Sequence, residues 1–136
     1  VGFGKACELA KKRLERVATE VASLRDRLEQ AILKRIPGAK VNGYNAIRLP
    51  NTTNISFPDT DSQAILMNLD LLGIAVSTGS ACASSTAEPS YVLLAMGLSE
   101  DRVRSSVRFS LGKDTTRHDV DRTVEAVARI VRTLAR

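Results

Sequence analysis

Val76-Ser77-Thr78-Gly79-Ser80-Ala81-Cys82-Ala83-Ser84-Ser85-Thr86-Ala87-Glu88-Pro89-Ser90 sets a cysteine inside a run of small residues. No large apolar neighbour is at hand to bury Cys82, and a cysteine that packing does not explain is usually retained for its reactivity. Gly, Ala, Ser and Thr cost little to move and offer little to pack. The stretch therefore reads as a loop carrying a thiol that travels between two places, with residues 80–87 weakly anchored. The alternative is an ordinary flexible connection with an incidental cysteine.

Outward from this loop, the chain alternates helical and extended patterns. On its N-terminal side, residues 74–76 (Ile-Ala-Val) suit a short buried strand, and residues 61–72 a short helix capped by Asp59 or Asp61 and ended by Gly73. Residues 52–57 alternate and are rich in β-branched side chains, so they read as a strand stopped by Pro58. Residues 40–51 form a turn-rich stretch broken at Asn42-Gly43 and Pro50-Asn51. Residues 3–35 read as one long amphipathic helix, with Leu14, Val17, Val21, Leu24 and Leu28 spaced by three and four, ended by Pro37-Gly38. Extending that stripe backwards reaches Ala10 and Cys7, so Cys7 is expected to be a small core residue.

On the C-terminal side, residues 88–96 read as a helix with Pro89 in its first turn and Gly97 beyond its end. Residues 104–111 read as a strand with Val107, Phe109 and Leu111 on one side and Arg108 and Ser110 on the other. Residues 116–134 form a last amphipathic helix faced by Val120, Val124, Val127, Ile130 and Leu134; Thr116 with Asp119 resembles a capping box. The expectation is one α/β (α+β) domain: a small, mainly antiparallel sheet flanked by helices on one face.

Composition narrows the function. The 136 residues carry 20 Lys/Arg against 15 Asp/Glu, a formal net charge of +5. The excess lies in the terminal segments, nine basic residues against five acidic over 1–39 and nine against six over 99–136. These are the solvated faces of amphipathic helices, or a surface for an acidic protein. No basic patch is interleaved with aromatics, so nucleic acid is not expected as a partner. No apolar run approaches the ~20 residues of a membrane span, so no membrane partner is expected. Two cysteines and one histidine cannot close a tetrahedral metal site unaided. The cysteine usage suits a reducing, cytoplasmic setting better than a stapled secreted scaffold.

Two residues stand out chemically. Cys82 is a candidate nucleophile, but no base lies beside it in sequence, and His118 is expected on the solvated side of the last helix. Arg108 is the second: a guanidinium on a rigid strand presents its planar fork at a fixed angle, which suits a carboxylate. The alternative is an exposed strand residue with no ligand. No phosphate cradle of the usual spacing is present, and no lysine lies in a motif that would bind an aldehyde cofactor.

At these residues the sequence resembles a known family. Residues 73–82 (Gly-Ile-Ala-Val-Ser-Thr-Gly-Ser-Ala-Cys), 88–93 (Glu-Pro-Ser-Tyr-Val-Leu) and 106–112 (Ser-Val-Arg-Phe-Ser-Leu-Gly) are similar to cysteine desulfurases of the NifS/IscS type, as are Arg48-Leu49-Pro50-Asn51-Thr52, Asn54-Ile55-Ser56-Phe57 and Val1-Gly2-Phe3-Gly4. The resemblance implies the C-terminal small domain of a homodimeric, pyridoxal-phosphate-dependent transferase of the class V aminotransferase fold. It implies that residues 1–136 are that domain alone, with the cofactor lysine in a large domain absent from this chain, and a fragment that is inactive and monomeric by itself. It implies that Cys82 takes sulfur from L-cysteine as a persulfide, leaving L-alanine, and that Arg108 grips the substrate carboxylate. The spacer 83–87 fits the subgroup that hands sulfur to an iron–sulfur scaffold protein or another acceptor, whose cysteine also touches a nascent cluster transiently. Read without the resemblance, the chain is also compatible with a free-standing thiol or persulfide carrier, or a redox module, that lacks this cofactor chemistry.

Overall fold

The computed structural model describes residues 1–79 and 89–135. Its centre is a three-stranded antiparallel sheet in the order β1 (Lys40–Val41), β2 (Thr52–Ser56) and β3 (Ser106–Ser110). Side chains alternate across a pleated strand. Thr53 and Ile55 of β2 and Val107 and Phe109 of β3 are accordingly buried on one face. Phe57 and Leu111 continue that face beyond the strand ends.

Three helices supply the cover. α2 (Ala22–Arg35) and α6 (Arg117–Leu134) pack together, α3 (Ser62–Asp70) packs on α6, and α2 and α3 reach β2 and β3. Leu28 and Ile32 of α2, Ile65 and Leu69 of α3, and Val120, Val124, Val127 and Val131 of α6 complete the core. Burying each such side chain contributes about 1.5–3 kcal/mol. α6 opens with the expected box: Thr116 accepts from the Asp119 N–H, and the Asp119 carboxylate accepts from the Thr116 N–H. At α3 the cap is Asp61, which accepts from the N–H groups of Gln63 and Ala64. Gly73 follows that helix at φ +73°, a conformation glycine adopts without steric cost.

Several expectations are corrected. The N-terminal helix is not uniform: α1 (Gly2–Arg16) passes through a π-helical turn (Val17–Val21) into α2, and α1 contains no buried residue. Cys7 is therefore exposed rather than in the core. The period marked the apolar stripe correctly, but among the described residues the one element that α1 packs against extensively is the turn that continues it. Phe3 and Leu14 stand 84% and 65% exposed, and burial starts at Val21. Residues 74–76 form no strand; Ile74 and Val76 pack partly buried against the core, and Ser77 alone bridges to β3. Lys40–Val41, read as a turn, is a short strand because it pairs with Ser56 and Ile55. Arg104 belongs to α5 (Glu100–Arg104), capped by Ser99, rather than to the following strand. The remaining helix, α4, spans only Tyr91–Ala95 with Ser90 at its N-cap, so Pro89 precedes the helix rather than standing in its first turn as expected.

Candidate functional site

Because Val107 and Phe109 point into the core, Arg108 between them points out of the opposite face, where it is half-buried. Its backbone is used in a specific way. The Ser77 N–H donates to the Arg108 carbonyl at 3.1 Å, and the Arg108 N–H donates to the Ser77 carbonyl at 2.6 Å. Both polar groups of Arg108 thus turn towards Ser77. On its other side Arg108 lies opposite Asn54 of β2. That pair exchanges no backbone hydrogen bonds, the geometry in which facing side chains approach most closely.

Ser77 also belongs to the segment that leads into the cysteine stretch, and this segment is tied at several points. The Ile74 N–H donates to the Leu69 carbonyl at 3.0 Å, Arg122 of α6 donates to the Leu72 carbonyl, and Gln63 of α3 donates to the Thr78 hydroxyl at 3.0 Å. The root of the stretch is thereby fastened beside Arg108. Cys82 itself, and the expectation of weak anchoring over residues 80–87, lie outside the described residues. His118 is exposed near the start of α6, as expected.

A polar network missed at the sequence level backs this face. Asn42, only 4% exposed, donates from Nδ2 to Asn54 Oδ1 at 2.6 Å and to Ser106 Oγ at 2.9 Å. Ser106 Oγ donates to the Arg102 carbonyl at 2.6 Å, and Arg102 Nε donates to Ser56 Oγ at 3.2 Å. Asn54 and Ser106 each lie one residue from a core side chain on their strand, Ile55 and Val107. That spacing placed them on the polar face, but it did not reveal their link to Asn42 across a turn.

A second cluster fixes the segment leading into β2. Glu29 of α2, 4% exposed, accepts from Arg48 Nη1 at 2.5 Å and Nη2 at 3.2 Å. The hydrogen bond to Glu29 is the chief cause of a raised Arg48 pKa. Arg25 reaches over from the same helix to donate to the Leu49 carbonyl at 2.8 Å. Among the described residues no group of three or more His, Cys, Asp and Glu side chains is arranged to hold a metal ion. An open groove of about 560 Å³ along α2, lined by Thr19, Ser23, Arg27, Gln30 and Lys34 among others, includes none of the residues above.

Comparison with known proteins identifies the family. A cysteine desulfurase of Nostoc sp. is 48% identical over 134 residues, covering 98% of this chain and 34% of the relative. The cysteine desulfurase NifS of Azotobacter vinelandii is 45% identical over 131 residues, covering 96% and 33%. The X-ray structure of a NifS-like protein from Rickettsia africae superposes with a TM-score of 0.81 at 36% identity, over 95% of this chain and 33% of that one. The chain thus spans about a third of the length of the curated relatives it matches. The model of the family described as Aminotransferase class-V matches residues 1–123, most of the chain, and with it the chain belongs to the class V aminotransferase family.

Proposed function

We propose that this chain is the C-terminal small domain of a cysteine desulfurase, in which Cys82 receives sulfur from L-cysteine and Arg108 holds the substrate carboxylate. The observation that carries the reading is the reciprocal pairing of Ser77 with Arg108. It fastens the root of the cysteine stretch directly to the strand residue that presents the guanidinium, which supports reading both groups as parts of one site. The exposed apolar stripe of α1 supports a place within a larger protein, since Phe3 and Leu14 gain nothing from standing in water.

In this reading the net reaction is L-cysteine plus the Cys82 thiol giving L-alanine plus the Cys82 persulfide. The thiolate of Cys82 forms the S–S bond and the substrate's C–S bond breaks. The carbon takes a proton in place of sulfur, so the two sulfurs are oxidised and the carbon reduced. Arg108 contributes by fixing the carboxylate end of the substrate with two parallel N–H donors, which restricts where the sulfur end sits.

Pyridoxal phosphate, which the family implies, requires an amine for its aldehyde and a cradle for its phosphate. The described residues do not fit that group. Lys40 sits exposed on β1, on the far side of β2 from Arg108, Lys113 pairs with Asp114, and the remaining lysines lie on α1 and α2. The cofactor is assigned to the part of the enzyme outside this chain, as is the contact that makes the intact enzyme a homodimer. The sulfur leaves for an acceptor such as an iron–sulfur scaffold protein, in a reducing cytoplasmic setting.

The test uses the full-length enzyme bearing this domain. Cys82→Ser abolishes persulfide formation from L-cysteine while leaving the cofactor absorption in place; undiminished sulfur transfer overturns the assignment. Arg108→Ala raises the KM for L-cysteine by about 10- to 100-fold, the loss of a charge-assisted pair; an unchanged KM removes the clamp.

A further inference from the structure

We infer that Asn54 is a second substrate-positioning residue, whose side-chain amide donates to the same carboxylate that Arg108 holds. The inference rests on the reading of Arg108 just given, and it follows from the direction of the hydrogen bonds behind it.

The network starts at a group whose role is fixed. The Arg102 carbonyl can only accept, so the 2.6 Å contact from Ser106 Oγ must carry the serine's single proton. Ser106 Oγ is then an acceptor towards Asn42, and the Asn42 atom 2.9 Å away must be the NH2 group. That same NH2 lies 2.6 Å from the Asn54 side chain, so the Asn54 atom it meets must be the carbonyl oxygen Oδ1. Reversing both amides would leave the Ser106 hydroxyl and the Arg102 carbonyl in close contact with their proton directed elsewhere. The network holds this direction even though Asn42 Oδ1 is buried with no partner among the described residues.

Asn54 therefore spends its acceptor on Asn42. The Asn42 N–H also donates to the Asn54 carbonyl at 2.8 Å, which ties Asn54 to Asn42 through backbone and side chain alike. The free end of the Asn54 amide is its Nδ2 donor. Arg108, its close cross-strand neighbour on the same face, is also donor-only. Two donors cannot satisfy each other. Side by side, and with no acceptor for either among the described residues, they form a site for an anionic acceptor. A carboxylate, with two oxygens and about four lone-pair positions, can take the guanidinium fork and the amide together.

The decisive variant is Asn54→Asp in the full-length enzyme. It preserves side-chain shape and the acceptor for Asn42 and replaces only the donor, putting an anion beside Arg108. The dissociation constant of L-alanine, which carries the carboxylate but no sulfur, is read by titration calorimetry, alongside the KM for L-cysteine and for cysteamine, which lacks the carboxylate. Asn54→Ala is expected to weaken L-alanine binding about 10-fold, the loss of one hydrogen bond to a charged group, and Asn54→Asp by more, with cysteamine unaffected in both. If Arg108→Ala weakens L-alanine binding but neither Asn54 variant does, Asn54 has no such role and the clamp stands. If Arg108→Ala also has no effect, the clamp itself is wrong. Equal losses for L-cysteine and cysteamine would make Asn54 a structural residue and overturn the inference.

Discussion

Arg48→Met removes one half of an almost fully buried ion pair, and the geometry sets the cost. The Glu29 side chain is 5% exposed and that of Arg48 18%, so water screens the pair poorly. Removing one partner of a buried pair costs roughly 3–5 kcal/mol, because the other charge is left uncompensated. Here the lower end applies. Arg25 Nε remains 4.0 Å from Glu29 Oε1 and supplies part of the lost field. The variant also loses the packing of the guanidinium over the Tyr44 ring, 5.9 Å from its centroid. The expected loss is about 3 kcal/mol, which lowers the urea midpoint of the 136-residue chain by roughly 1.5 M at a slope near 2 kcal/mol per molar. Adding Glu29→Leu to Arg48→Met removes the stranded carboxylate and should recover all but ~1 kcal/mol, since an apolar pair of similar volume is often as stable as the ions. Arg25 keeps Asp26 and the Leu49 carbonyl as partners in that double variant. Equilibrium unfolding in urea measures both. A single variant within about 0.5 kcal/mol of the parent, or a double variant no better than the single, would refute the reasoning.

Other outcomes follow from the same contacts. Gly38 has φ +86°, and a Cβ there would lie 2.9 Å from Pro58 Cγ, so Gly38→Ala should cost about 2 kcal/mol or more in thermal or urea unfolding. Asp121 has its pKa lowered, first by its hydrogen bond from Arg27, so its contribution is complete above the ordinary value of 3.8 and is lost as pH falls through the lower folded value. Asp121→Asn should therefore reduce stability at pH 7 and flatten the acid limb of stability against pH; an unchanged acid limb would mean the pair is not formed in solution. Cys7, being exposed, should react with a thiol reagent as fast in the folded chain as in urea, and strong native protection would show that the α1 face is covered.

The sequence carried the parts of this fold that depend on local chemistry. The apolar period of α6, its Thr116–Asp119 box, the Asp61 cap and the sidedness of Arg108 against Val107 and Phe109 are all local, and each is present in the structure. Cys7 and Leu14 show the limit of periodicity, which identifies an apolar face but not what covers it. β1 escaped notice because two residues make no pattern; Lys40 and Val41 are strand only by pairing with β2. α5 did leave a signal, Ser99 ahead of Glu100 and Asp101, a cap followed by acidic residues at a helix N-terminus. The Asn42–Asn54–Ser106 network left none, because Asn42 and Ser106 are 64 positions apart and only the sheet brings them together.

The most direct test of the central claim is intact-mass and peptide-mapping spectrometry of the full-length enzyme after brief exposure to L-cysteine. Both cysteines of this chain can be followed in one spectrum, and exposed Cys7 serves as an internal control for non-specific sulfur uptake. The account predicts one added sulfur on Cys82, none on Cys7, and none on either in Arg108→Ala at low L-cysteine. Sulfur on both cysteines alike, or on neither, would contradict it.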